Sequence, residues 1–96
     1  MSTGRQIIVS RHPAAVAFIR AERPDFANAP VLASASPDDV RGAIVAGNLP
    51  FALAALAREV VAVEFSGAPP RGTEYGVEEM RAAGARLVSY RVEVIS

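Results

Sequence analysis

The chain has 96 residues with ten basic and ten acidic side chains, one histidine and no cysteine, and 51% of it is apolar. Such a length supports one α/β domain over residues 1–96 with a single core, and is small enough that oligomerisation would help it. Zero formal charge argues against a duplex-DNA binder acting by bulk charge, and the lack of cysteine excludes disulfides, thiolate zinc sites and cysteine nucleophiles. With a single histidine, an imidazole zinc cluster is not expected either, so no metal or cofactor is expected. No stretch approaches the roughly 18 apolar residues of a membrane span, and nothing before the first strand reads as a signal peptide. A cytoplasmic protein with no membrane partner is the expectation.

In chain order, Gln6-Ile7-Ile8-Val9 is an apolar run that reads as a buried strand. Pro13 suits a first helical turn, where its missing N–H is unpaired anyway, and Pro24 stops that helix near Arg23. Residues 24–30 form a loop and 31–35 a second strand. The segment 36–40 is a turn in which Ser36 or Asp38 caps a short helical stretch. Residues 42–47 are too apolar and β-branched for a surface loop and read as a third strand. Pro50 then opens a second helix over residues 50–59. A fourth strand follows at 60–66, and 67–76 is the longest irregular segment. The third helix, 77–85, carries acids in its first turn and Gly84 near its end. Residues 86–95 alternate apolar and polar, as an edge or half-exposed strand does.

The order βαββαβαβ, with apolar first and third strands, defines a small three-layer Rossmann-like α/β sandwich with a largely parallel central sheet. On the second helix Phe51 lies nearly opposite Leu53 and Leu56, with alanines between. A helix apolar all round is buried on both sides, which makes a homodimer the expectation, with a ligand site possible across the two-fold.

Two strand-to-helix passages share one form, "VSRHPAA" and "VAGNLPFA". If both strands point the same way, the passages lie on one edge of the sheet, where helix starts present free N–H groups that suit a phosphate. His12 is the first candidate, because its imidazole takes or gives a proton near neutral pH, although a histidine at a helix start also serves as a plain capping residue. Arg11 beside it can grip a phosphate through two parallel bonds, or be a solvated turn residue. Ser10 can orient a ligand oxygen or cap the helix. A serine-hydrolase pair is rejected, since neighbours at a turn diverge. In the second passage Gly47 allows close approach to backbone, Asn48 offers donor and acceptor, and Leu49 leads into Pro50. Too few glycines are present for a Walker or dinucleotide loop. Arg71 and Glu74, on the loop after the fourth strand, are further ligand candidates if that strand is also parallel. Glu64 and Tyr90 lie within strands and face either core or ligand.

The segments "VSRHPAA", "VAGNLP..LA", "RGTEY" and "EEMRAAGARLVSYRV", in that order, resemble a family of small accessory proteins of type III CRISPR systems, the csx-sixteen family. The resemblance spans almost the whole chain. It departs at Ala14-Ala15, where the family commonly has Gly-Ala, and at "ASASPDDVRG", where an acidic, histidine-bearing version is usual.

This resemblance implies a CARF-like fold and a dimeric ring nuclease that binds and linearises cyclic tetra-adenylate. It implies metal-independent attack by the ribose 2′-OH. In that scheme His12 would act as general base or acid, and Arg11 with the helix-start N–H groups would stabilise the phosphoryl charge. Ser10 would belong to the same cluster, with Gly47, Asn48, Leu49, Arg71 and Glu74 as ligand contacts. The alternative is a protein that binds the cyclic oligonucleotide without cleaving it.

Overall fold

The computed structural model describes residues 5–67 and 76–96. Among these residues five strands form one sheet in the order β2-β1-β3-β4-β5. They are β1 (Gln6–Val9), β2 (Val31–Leu32), β3 (Ile44–Ala46), β4 (Glu59–Phe65) and β5 (Ala85–Tyr90). β1 to β4 are parallel, and β5 runs antiparallel along the β4 edge, from Val60 opposite Tyr90 to Phe65 opposite Ala85.

Side chains alternate across a strand, so consecutive residues of a central strand enter opposite layers. Ile7 packs with Val45 and Val60 on one face, whereas Ile8 packs with Ile44, Ala46 and Val61 on the other. This is why Gln6-Ile7-Ile8-Val9 reads as continuous apolar sequence: both faces of β1 are covered. The small three-layer, Rossmann-like sandwich and the largely parallel sheet are as the sequence suggests.

Helix α1 (Pro13–Glu22) covers the second face with Phe18 and Ile19 fully buried. The Arg23 N–H still bonds the Ile19 carbonyl at 2.8 Å, and Pro24 then opens a short 3₁₀ turn, Pro24–Phe26. Helix α4 (Val77–Ala82) lies beside α1, and Met80 fills the contact against Phe18 and Ala14. Arg81 joins the two by an ion pair to Glu22 at 3.0 Å and by lying 5.6 Å above the Phe18 ring. Both partners are partly exposed, so burial of Phe18 and Ile19, about 1.5–3 kcal/mol each, outweighs the ion pair.

The opposite face carries two one-turn helices, α2 (Pro37–Val40) and α3 (Phe51–Ala54). The Asp39 carboxylate accepts bonds from the Ser36 N–H at 2.8 Å and the Ser36 hydroxyl at 3.0 Å, fixing the start of α2. The segment at 36–40 is thus a helix in its own right, and the element order is βαβαβαβαβ.

The second helix expected over residues 50–59 stops at Ala54. The Leu56 carbonyl is taken by the Gly42 N–H at 3.0 Å and the Arg58 N–H turns to the Ala43 carbonyl at 2.8 Å. These bonds draw the chain into register for β4 and leave no partner for a longer helix. Phe51 does face away from Leu53 and Leu56: it is 84% exposed, while both leucines pack on the core.

Candidate functional site

The chain leaves β1 toward β2 on one side and comes back to place β3 on the other, so the sheet order reverses between β1 and β3. In open α/β sheets that reversal opens a crevice outside the carboxyl ends of the strands, where ligands bind. Because Gln6, Ile7 and Ile8 pair in parallel with Ile44, Val45 and Ala46, both passages noted in the sequence leave the sheet at this crevice.

Each passage has a local reason for its shape. The Ser10 N–H bonds the Leu32 carbonyl at 2.9 Å, extending the β1–β2 pairing by one residue. Its hydroxyl accepts the His12 N–H at 3.1 Å, which folds the backbone back on itself just before Pro13. His12, not Ser10, is the residue at the cap of α1, and its carbonyl accepts the first helical N–H, from Val16, at 3.2 Å. On the other passage Gly47 has φ +126°, and its N–H bonds the Val61 carbonyl at 2.9 Å. The close approach this glycine serves is that of β1: a Cβ would stand 2.1 Å from the Val9 carbonyl oxygen.

Between them lies a cleft of about 240 Å³ bordered by Ser10, Gly47 and Asn48, with Ala15, Phe65 and Met80 among its apolar walls. No acidic side chain lines it among the described residues. Asn48 is exposed, and Leu49 lies instead on a second hollow across the sheet.

The remaining candidates are placed differently. Arg11 is exposed, and its Nε donates to the Ala33 carbonyl at 3.2 Å, so the side chain leans along the end of β2. His12 is half-buried, both ring nitrogens are shielded from solvent, and it is not among the residues lining the cleft. Arg71 and Glu74 lie outside the described residues. The phosphate-attracting charge expected at two helix starts falls to α1 alone, because one turn of α3 sums few peptide dipoles.

Met80 and Phe65 are cleft walls that the sequence does not single out, since each lies inside a regular element and carries no polar group. On the opposite face the Tyr90 hydroxyl donates to the Glu64 carboxylate, which also lies 3.7 Å from the Arg86 guanidinium. That hydrogen bond raises the Tyr90 hydroxyl above its ordinary pKa. Among the described residues no three histidine or acidic side chains gather to hold a metal ion, and no helix is long and apolar enough to cross a membrane.

A doubly wound α/β domain with a cleft of about 240 Å³ at its switch point is the class that fold and site define. Residues 7–93 match the model of a family described as "Putative CRISPR-associated protein (Cas_VVA1548)". The chain belongs to this family of CRISPR-associated proteins. Comparison with curated proteins and with solved structures gave no match.

Proposed function

We propose that the chain is a ring nuclease that binds and linearises cyclic tetra-adenylate, ending the second-messenger signal of a type III CRISPR system. The observation that carries this reading is the switch-point cleft, where Ser10, Gly47 and Asn48 border a hollow that no acidic side chain lines among the described residues, in a chain whose family is CRISPR-associated. A phosphodiester seated there meets a hydroxyl, an amide and backbone at the start of a ten-residue helix, which favours negative charge.

Cleavage without a metal uses the ring's own ribose. The 2′-oxygen forms a bond to phosphorus, the bond from phosphorus to the 5′-oxygen breaks, and a 2′,3′-cyclic phosphate and a 5′-hydroxyl result. His12 takes the 2′-OH proton or supplies the one the 5′-oxygen needs, after its ring turns toward the cleft, and such a group contributes about 10²- to 10⁴-fold. Arg11 and the α1 N-terminus stabilise the charge on the phosphoryl oxygens, with Leu49, Arg71 and Glu74 as outer contacts. Two copies related by a two-fold offer two such sets to one ring, and the exposed Phe51 is the residue proposed to meet the second copy. Sedimentation of wild type and Phe51→Glu tests the dimer, with the variant alone expected to run as a monomer.

One observation favours binding without cleavage: the shielded ring nitrogens of His12, which does not line the cleft. Incubation with cyclic tetra-adenylate followed by chromatography separates the readings. Linear products support the nuclease, and a bound but intact ring supports sequestration.

A further inference from the structure

On the face opposite α1 and α4, Leu53 and Ala54 of α3 pack over Val45 and Val60, but the outer part of the β4–β5 pair remains open. A hollow of about 430 Å³ lies there, bordered by Asn48, Phe51, Ala62, Glu64, Tyr90 and Val92, with Phe51 at the margin where a second copy is proposed to sit. That volume falls within the roughly 300–1,000 Å³ of small-molecule sites.

Tyr90 pairs with Val60, yet its hydroxyl reaches Glu64, four residues further along β4. The ring therefore runs along the sheet toward the Ala62–Val88 pair, and the residue, 43% exposed, borders the hollow. Glu64 is a pure acceptor whose side chain is 34% exposed. An ionised carboxylate offers about four lone-pair sites, so the Tyr90 hydroxyl and the Arg86 guanidinium 3.7 Å away leave room for another N–H. A carbonyl placed there would set acceptor against acceptor. Asn48 borders both this hollow and the switch-point cleft, at the sheet edge between them.

We infer that this hollow is a nucleobase site, in which a base bearing an exocyclic amine stacks on the Tyr90 ring, donates its amine N–H to Glu64 and meets the Asn48 amide at its edge. The inference rests on the proposed function only for the choice of adenine as the probe.

The test is a titration of ¹⁵N-labelled protein, followed by amide shifts, with millimolar adenosine monophosphate, inosine monophosphate and ribose 5-phosphate. Adenosine monophosphate is expected to move the amides of Ala62, Glu64 and Tyr90, inosine monophosphate to bind at least about tenfold more weakly, and ribose 5-phosphate to leave these amides unmoved. Tyr90→Ala is expected to weaken the adenine ligand by about 5- to 150-fold, and Tyr90→Phe, which keeps the ring, to stay within about threefold of wild type. Glu64→Gln, which gains a donor, should bring the adenine and hypoxanthine ligands close to parity. Silent hollow amides, or equal binding of the two purines by wild type, overturn the inference. So does an adenine ligand that moves these amides in Phe51→Glu but not in wild type, which would mean that a second copy fills the hollow. Cleavage of cyclic tetra-adenylate with a silent hollow removes the base site and leaves the nuclease standing; a seated adenine with an uncleaved ring does the reverse.

Discussion

Gly47 sits against Val9 so closely that any side chain there would collide with the Val9 carbonyl, its Cβ 2.1 Å from the oxygen. The glycine also has φ +126°, where other residues are strained. Gly47→Ala should therefore cost about 2–4 kcal/mol, by strain and overpacking together. Gly42 is the comparator, because it has φ +71° but open space around it. Gly42→Ala should cost only about 1–2 kcal/mol. Thermal unfolding checks both, with Gly47→Ala expected to melt at least about 8 °C below wild type. Equal melting of the two variants would contradict the β1–β3 contact.

The fold was legible where one physical rule dominated. Ile7-Ile8-Val9 and Ile44-Val45-Ala46 are apolar without alternation because both faces are covered, and Pro13, Pro24 and Gly84 mark element ends through missing donors or positive φ. The second helix was overextended because its apolar run continues to Ala57, while long-range bonds from Gly42 and to Ala43 end it; nothing local encodes those partners. In the site, the shared form of the two passages correctly brought Ser10 near Gly47 and Asn48. The close backbone approach that Gly47 allows serves β1 and not a ligand, because the Val9 carbonyl occupies that space. The shielding of the His12 nitrogens and the tie of Arg11 to Ala33 depend on χ angles and on β2, which spacing along the chain does not reveal.

Asp39 makes stability depend on acid. Its carboxyl is held below the ordinary aspartate range, first by the Ser36 backbone N–H and then by the Ser36 hydroxyl. The unfolded chain therefore takes up this proton at higher pH than the folded one. The contribution is complete above the ordinary range and is lost as pH falls through the lowered folded value. Asp25, lowered chiefly by its hydrogen bond to Arg23, acts in the same direction. Denaturant midpoints measured from about pH 5 down to about pH 2 should fall less steeply for Asp39→Asn than for wild type.

Tyr90 supplies the alkaline counterpart. Its hydroxyl is raised first by the hydrogen bond to Glu64, so the protonated form is favoured by folding. That contribution is present below the ordinary tyrosine value and is lost as pH rises through the raised one. In a Tyr75→Phe background Tyr90 is the sole tyrosine. Tyrosinate absorbance should then titrate later than in a free peptide, and Glu64→Gln should move it back toward the ordinary value. A titration unmoved by Glu64→Gln would contradict the lie of the ring along the sheet.

His12→Ala should slow cleavage of cyclic tetra-adenylate at least about tenfold while leaving the melting temperature near that of wild type. Unchanged turnover would remove His12 from the mechanism. Arg11→Ala and Arg71→Ala should each weaken binding or slow cleavage. Normal kinetics in both would move the phosphate contacts to other groups.

The central claim is tested most directly by incubating the purified protein with cyclic tetra-adenylate, with and without a chelator, and separating the products by chromatography. The account predicts linear oligoadenylates ending in a 2′,3′-cyclic phosphate at equal rates in both arms. A ring returned intact from both arms, or cleavage abolished by the chelator, would contradict it.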